Sequence, residues 1–415
     1  MKLPTGWKLQ RIEEIADVKG GKRLPKGYSL VKENTGFPYI RVTDMKNGTV
    51  DESGILYIPV DVAPKISRYI INKDDVFISV AGNGLGIIGI IPESLDGANL
   101  TENADKLTNL KVHQKFLFEV LRSPIIQNKV EAEKTQNAQP KLALTRIKGF
   151  EIPVPPPSEQ KKIAQILSTW DKAITTTEQL LVNSQQQKKA LMQQLLTGKK
   201  RLFDESGVRF SGEWKDHFLT DAAQVIVSPV DKKTIDGEIP VELCNYTDVY
   251  YNHYITRGLN FMKATAKPAE IEKYTLQLND VIITKDSETP GDIAVPALVA
   301  EDLGGVVCGY HLAIVRPKAE IAKGAFLNYL FSLPKTRYYF FTLATGATRF
   351  GLSIGGINKA HFRLPPLEEQ QKIADVISIT DQEITSLQQT LDRLKQEKKA
   401  LMQQLLTGKR RVLVS

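Results

Sequence analysis

The twelve residues Lys188-Lys-Ala-Leu-Met-Gln-Gln-Leu-Leu-Thr-Gly-Lys199 return unchanged as Lys398 to Lys409, 210 positions later in a chain of 415. A repeat of that period requires two similar structural units in succession. Upstream, Glu159-Gln160-x-Lys162-Ile163-Ala164 aligns with Glu369-Gln370-x-Lys372-Ile373-Ala374, and Pro155-Pro156 aligns with Pro365-Pro366. Over 158–199 against 368–409, 24 of 42 positions are identical, which chance does not produce. Before each block only punctuation is shared: Trp7-Lys8 with Trp214-Lys215, Thr43-Asp44 with Thr247-Asp248, Asp75-Val76 with Asp280-Val281. The chain therefore divides into a globular domain over 1–157, a helix over 158–201, a second globular domain over 202–367, and a second helix with a tail over 368–415.

The repeated segments are long helices. Apolar residues recur at alternating spacings of four and three: Ile163, Leu167, Trp170 and Ile174, then Leu181, Leu191 and Leu195, with Ile373, Ile377, Ile384, Leu387, Leu391, Leu394, Leu401 and Leu405 in the second copy. That is a coiled-coil seam. Prolines 155–157 and 365–366 mark the starts, Glu159 and Glu368-Glu369 suit the positive end of the dipole, and Gly198 and Gly408 supply stops. Thr177, Ser184 and Lys188 interrupt the first seam and Thr380 and Lys398 the second, so the two helices are expected to pair with each other, antiparallel, or with a partner's helices. A helix of about 40 residues reaches roughly 60 Å. The bland role for such helices is a spacer. Surface-type positions Lys189, Gln193 and Gln194 nevertheless match Lys399, Gln403 and Gln404, and packing between two helices does not require that.

Around the helices the pattern predicts strands at 36–42, 55–60, 76–81, 86–91, 281–284, 293–299 and 305–315, with helices over 115–133 and 323–341. Each globular unit is thus a mixed α+β domain. The apolar runs fall far short of the ~20 residues of a membrane span, and the start Met1-Lys2 lacks a secretory pattern. Cys244 and Cys308, the only cysteines, suit reduced thiols in a cytoplasmic, metal-free protein.

Catalytic constellations are missing. Gly82-Asn83-Gly84-Leu85-Gly86 lacks the Lys-Ser/Thr of a phosphate loop and reads as a turn between strands. His113, His217, His253, His311 and His361 show no metal spacing. Glu131-Ala-Glu133-Lys134 carries the Glu-x-Lys end of a nuclease site but sits on a predicted helix without the preceding Pro-Asp. No amino-methyltransferase or helicase motif is found, which points to a binding protein.

Nucleic-acid contacts fit the polar loops, where cations hold phosphates and amide or guanidinium groups read base edges. Lys22, Arg23 and Lys26 lie in a basic glycine-bearing loop. Gln136, Asn137, Gln139 and Lys141 precede the first helix, and their positional counterpart runs from Gly346 through Thr348 and Arg349 to Gly351. Arg41, Asn83, Lys232, Lys233 and Lys285 complete the candidate DNA contacts. A solvated loop explains each run individually, and a scaffold joining proteins through its helices is the competing function.

At Pro155-Pro-Pro-Ser-Glu159-Gln160-Lys-Lys-Ile163-Ala164 and Pro365-Pro-Leu-Glu-Glu369-Gln370-Gln-Lys-Ile373-Ala374 the chain resembles the DNA specificity subunits of type I restriction-modification systems, over its whole length. The resemblance implies two target-recognition domains separated by two long antiparallel coiled-coil helices with a pseudo-two-fold repeat, and no catalysis in this chain. It implies that each domain reads half of a bipartite DNA site. It also implies that two modification subunits carrying S-adenosylmethionine dock on the helices for adenine N6 methylation, and that restriction subunits using ATP and Mg join for translocation and cleavage. Glu159, Gln160, Ile163, Lys189, Gln193 and Gln194, with Glu369, Gln370, Ile373, Lys399, Gln403 and Gln404, are the expected docking residues.

The net charge of +8 is unevenly spread over this division. Residues 1–157 hold 22 basic and 18 acidic residues, 158–201 hold 8 and 3, 202–367 hold 17 and 19, and 368–415 hold 8 and 7. A second domain with an acidic excess is not a strong phosphate binder by itself, so basic surface on the modification subunits is expected to supply part of the grip.

Overall fold

The computed structural model describes residues 3–82, 84–135 and 141–413. The chain forms two units, Met1–Gln179 with Gln389–Ser415, and Leu180–Gln388. Each combines a globular domain with stretches of two long helices, Pro157–Leu195 and Leu367–Leu405, of 39 residues apiece. At 1.5 Å per residue each helix is about 58 Å long. The expected starts and stops hold. Gly198 and Gly408 adopt φ of +70° and +73°, and a Cβ on Gly408 would stand 2.6 Å from Pro4 Cγ. Backbone conformation and close approach both demand glycine there.

In the first unit, Asp17–Gly20, Ala104–Thr108, Val76–Ser79 and Ile88–Ile90 form an antiparallel sheet in that order. A second sheet orders Leu56–Tyr57, Pro38–Ile40, Ala98–Leu100 and Ile70–Ile71. Lys8–Arg11 pairs antiparallel with Glu151–Val154, tying the start of the domain to the strand that leads into the helix. The second unit repeats this plan with Ala223–Val227, Leu312–Pro317, Val281–Thr284, Pro296–Val299 and Tyr254–Ile255 in one sheet. There Lys215–Phe218 closes on His361–Leu364. Every residue of Val76–Ser79 and Val281–Thr284 is buried, as expected for β-branched and aromatic runs covered on both faces.

Each of the shorter helices, expected as one piece over 115–133 and 323–341, is two. Gln114–Arg122 and Pro124–Thr135 break at Ser123, and Gly324–Ser332 and Pro334–Leu343 break at Leu333. Pro124 and Pro334 have no N–H to continue the ladder and push the preceding residue into the extended region. The strand expected over 305–315 is also split, into Val307–Cys308 and Leu312–Pro317. At the break the Gly309 amide donates to the Cys244 carbonyl and His311 takes φ of +74°. Cys244 and Cys308, distant in sequence, stand in register on neighbouring parallel strands, both free and fully buried. Burial pushes both thiols up. No described helix is long and apolar enough to cross a membrane.

Candidate nucleic-acid interface

The helix-start motif folds inward. In the first unit Glu159 is 2% exposed, pairs with Arg411 and accepts from Trp7 Nε1 at 3.3 Å. In the second unit Glu369 is fully buried and accepts from Arg201 Nε and Nη2 at 2.5 and 2.6 Å. Gln160 Oε1 accepts from the His113 amide at 2.8 Å, and its Nε2 donates to the Pro155 carbonyl at 2.8 Å. Gln370 does the same with the Lys323 amide and the Pro365 carbonyl, at 2.9 and 2.8 Å. These amides satisfy backbone groups orphaned at two helix starts. Ile163 and Ile373 lie in the apolar cores. The expectation that Glu159, Gln160, Ile163, Glu369, Gln370 and Ile373 face a partner is therefore corrected. Their side chains are consumed inside their own units, leaving Lys189, Gln193, Gln194, Lys399, Gln403 and Gln404, all exposed.

The seam interruptions Lys188 and Lys398 are polar pins. In the first unit Lys398 Nζ lies 2.6 Å from Asp171 Oδ2 and 3.2 Å from Glu119 Oε2, with Arg122 Nη1 3.2 Å from Asp171. Burial pushes the Glu119 carboxyl up to about 7, against the pull of Lys398 and Arg122. In the second unit Lys188 pairs with Asp381 Oδ1. Asp381 Oδ2 accepts from the Tyr329 and Tyr254 hydroxyls at 2.8 and 3.2 Å. Burial and the Lys188 charge lower His253 to about 4. Residue numbers run in opposite directions across these pairs. Asp171 meets Lys398 and Glu178 meets Lys395 in one unit, and Ser184 meets Glu383 and Lys188 meets Asp381 in the other.

The second domain carries a cleft of about 430 Å³ lined by residues that include Lys232, Tyr246, Tyr250, Asp286, His311 and Arg349. Three neighbouring backbone segments build its wall. The Lys285 amide donates to the His311 carbonyl, and the Leu352 amide to the Lys285 carbonyl. Asp286 and Ser287 pair with Gly351 and Phe350. The preceding loop is closed by reciprocal bonds between Thr345 and Gly351. A Cβ on Gly346 would lie 1.9 Å from the Arg349 carbonyl oxygen, so the turn that presents Arg349 needs glycine. His311 Nδ1 is 3.0 Å from Asp286 Oδ2, and Arg349 Nη2 is 2.8 Å from His311 Nε2. Because the carboxylate only accepts, Nδ1 carries the hydrogen in that bond, and Arg349 Nη2, also 3.3 Å from Nδ1, lies over the face of the imidazole beside both nitrogens. Burial alone would raise the Asp286 carboxyl, but the Lys285 ammonium and His311 hold it below the usual range. Tyr246 and Tyr250 stack 5.5 Å apart, their hydroxyls directed to Ser287 and Asp292.

Lys232, Lys285 and Arg349, expected from the sequence, thus gather at one site, though Lys285 spends its charge on Asp286 at 2.7 Å. Exposed Thr348 adjoins it, and Lys233 is exposed but paired with Asp231 at 2.9 Å. In the first domain Lys22, Lys26 and Lys141 are exposed, while Arg23 is held by Glu102 at 2.6 Å. Arg41 is partly exposed and braces its own loop. Nε and Nη2 bind Asp44 and Nη2 also binds the Gly54 carbonyl, which pins a loop. Asn83, Gln136, Asn137 and Gln139 lie outside the described residues. Sequence reasoning missed Tyr246, Tyr250, Asp286 and His311. The shared Thr247-Asp248 landmark was the only signal near them, and nothing announced that His311 would break a strand.

The same framework in the first domain carries different groups. Leu142 donates to the Val80 carbonyl and Val80 to the Asn103 carbonyl, so Ala81, Asn103 and Lys141 stand where the second domain has Asp286, His311 and Gly351. The two domains thus share one backbone frame and differ in the side chains at one edge. The family model for the type I restriction modification DNA specificity domain matches this chain twice, at residues 4–183 and 212–396.

The chain belongs to that family.

A Methanocaldococcus jannaschii protein named for the specificity subunit of type I restriction enzyme MjaX is 26% identical to this member over 433 residues, covering 99% of this chain and 95% of its own. The EcoKI specificity subunit of Escherichia coli K12 is 20% identical over 396 residues, covering 90% and 81%. The crystal structure of a type I restriction-modification S subunit from M. genitalium superposes with a TM-score of 0.57 at 17% identity, covering 98% of each chain. That likeness shows the fold shared across the family.

Proposed function

We propose that this chain is the DNA specificity subunit of a type I restriction-modification complex and has no catalysis of its own. The target-recognition domains at 1–157 and 202–367 each read one half of a bipartite, asymmetric site in double-stranded DNA. The observation that carries this reading is the contrast between repeated and diverged surface. Lys189, Gln193 and Gln194 are exposed and identical to exposed Lys399, Gln403 and Gln404, whereas the positions of Ala81, Asn103 and Lys141 are taken by Asp286, His311 and Gly351 in the other copy. Identical helix faces suit two copies of one partner, and diverged edges suit two different half-sites.

The two helices, continued as an antiparallel coiled coil, set the spacer between half-sites. Each exposed face docks one modification subunit, whose S-adenosylmethionine supplies the methyl group for adenine N6. Restriction subunits using ATP and Mg join through these. The subunit acts in the cytoplasm. Co-expression with the partner methyltransferase tests the reading: sequencing of modified adenines yields a single split motif, and absence of any such motif in an active, assembled complex refutes it.

A further inference from the structure

The cleft of the second domain is unlike a phosphate site. Beside Lys232 and Arg349 its wall holds Asp286, Glu288 and Asp292, so it has no cationic excess to displace counterions. It offers directed hydrogen bonds instead. Arg349 is exposed at the rim, yet its Nη2 rests on the His311 ring, 2.8 Å from Nε2 and 3.3 Å from Nδ1, and the ring is held by Asp286 at 3.0 Å. An exposed arginine has no need of such a brace for solvation. His311 reaches its place only by taking φ of +74°, a left-handed conformation that residues other than glycine adopt at a cost. Of the guanidinium's five N–H groups, one on Nη2 is directed at the His311 ring; among the other four, the second Nη2 hydrogen and one on Nη1 form a forward pair. A guanine presents its matching acceptors, O6 and N7, in the major groove.

Resting on the specificity reading above, we propose that Arg349 reads a guanine in the half-site of the second domain, donating from Nη1 and Nη2 to O6 and N7, with His311 and Asp286 as positioning residues. The relay keeps the fork rigid before binding, so little rotamer freedom is lost on contact. The first domain holds Asn103 and Ala81 at the positions of His311 and Asp286, so it lacks this device and reads its half-site by other groups.

The test uses the full chain assembled with its modification subunits, binding a randomised duplex library, with the bound fraction sequenced and affinities taken over a salt series. Wild type selects one guanine in the second half-site. Arg349→Ala and Arg349→Lys lose that preference by about 5- to 150-fold, the size of one bidentate base contact, while the first half-site and the salt slope stay unchanged. Lysine keeps the charge without the fork. His311→Ala weakens the same preference while the first half-site is unaffected. A uniform loss of affinity with the salt slope reduced by about one phosphate contact overturns the proposal, because Arg349 would then grip backbone. Retention of the same guanine by both Arg349 variants also overturns it, with the specificity reading intact. A wild-type complex with no sequence preference at all refutes the underlying reading instead.

Discussion

Arg201→Ala isolates the role of the helix-start glutamates. Glu369 is fully buried, and both of its oxygens take hydrogen bonds from Arg201. Removing the guanidinium leaves a buried carboxylate without its partner. Breaking a buried pair from one side costs about 3–5 kcal/mol. For a cooperative unit of roughly 200 residues each kcal/mol moves the midpoint by about 2–4 °C, so the transition of the second unit falls by about 6–20 °C in calorimetry. Arg411→Ala is the internal comparison. Arg411 is half-exposed, and its partner Glu159 keeps the Trp7 indole N–H, so the first unit loses less. Replacing both partners, as Arg201→Met with Glu369→Leu, recovers most of the loss because no buried charge remains. A shift below about 1 kcal/mol for Arg201→Ala, or a double variant as unstable as the single, refutes the assignment of this pair as a structural clamp.

Glu119 makes the first unit pH-sensitive. Its folded pKa is raised to about 7, so the folded state holds the proton more tightly. Stability is greatest below the ordinary carboxylate range and is lost as pH rises through 7, by up to about 3 kcal/mol. Glu119→Gln flattens that slope in melts between pH 5 and 8, and an unaltered slope contradicts the assignment. Reversing charge on the exposed helix faces, with Lys189→Glu or Lys399→Glu, abolishes capture of one modification subunit each without moving the melting midpoint; capture of two subunits by either variant removes these residues from the docking face. Adding or deleting a few residues between 198 and 203 changes the unread spacer in the methylated motif, and an unchanged spacer with full activity contradicts the ruler role of the helices.

The architecture was legible where the physics is local and periodic. Proline starts marked the beginnings of both helices to within one residue, the glycine stops lie three residues past their ends, and continuous apolar runs marked Val76–Ser79 and Val281–Thr284. What escaped depended on long-range partners. Glu159 and Glu369 read as surface acids because the arginines that pair with them come from Arg411 and Arg201, more than 150 positions away. Lys188 and Lys398 read as flaws in the seam, whereas they are ion-paired to Asp381 and Asp171, themselves matched positions of the repeat. His311 was one scattered histidine until strand pairing set it between Asp286 and Arg349. Pro124 and Pro334, each the first residue of a second short helix, were readable and were passed over in favour of the apolar period.

Two diverged domains on one duplicated frame that read two independent half-sites are exchangeable one at a time. Exchange of residues 202–367 for the corresponding domain of another family member, followed by sequencing of modified adenines in cells that also carry the methyltransferase, measures this directly. The account predicts that one half of the split motif changes while the other half and the spacer are retained. A change in both halves, or in neither, contradicts it.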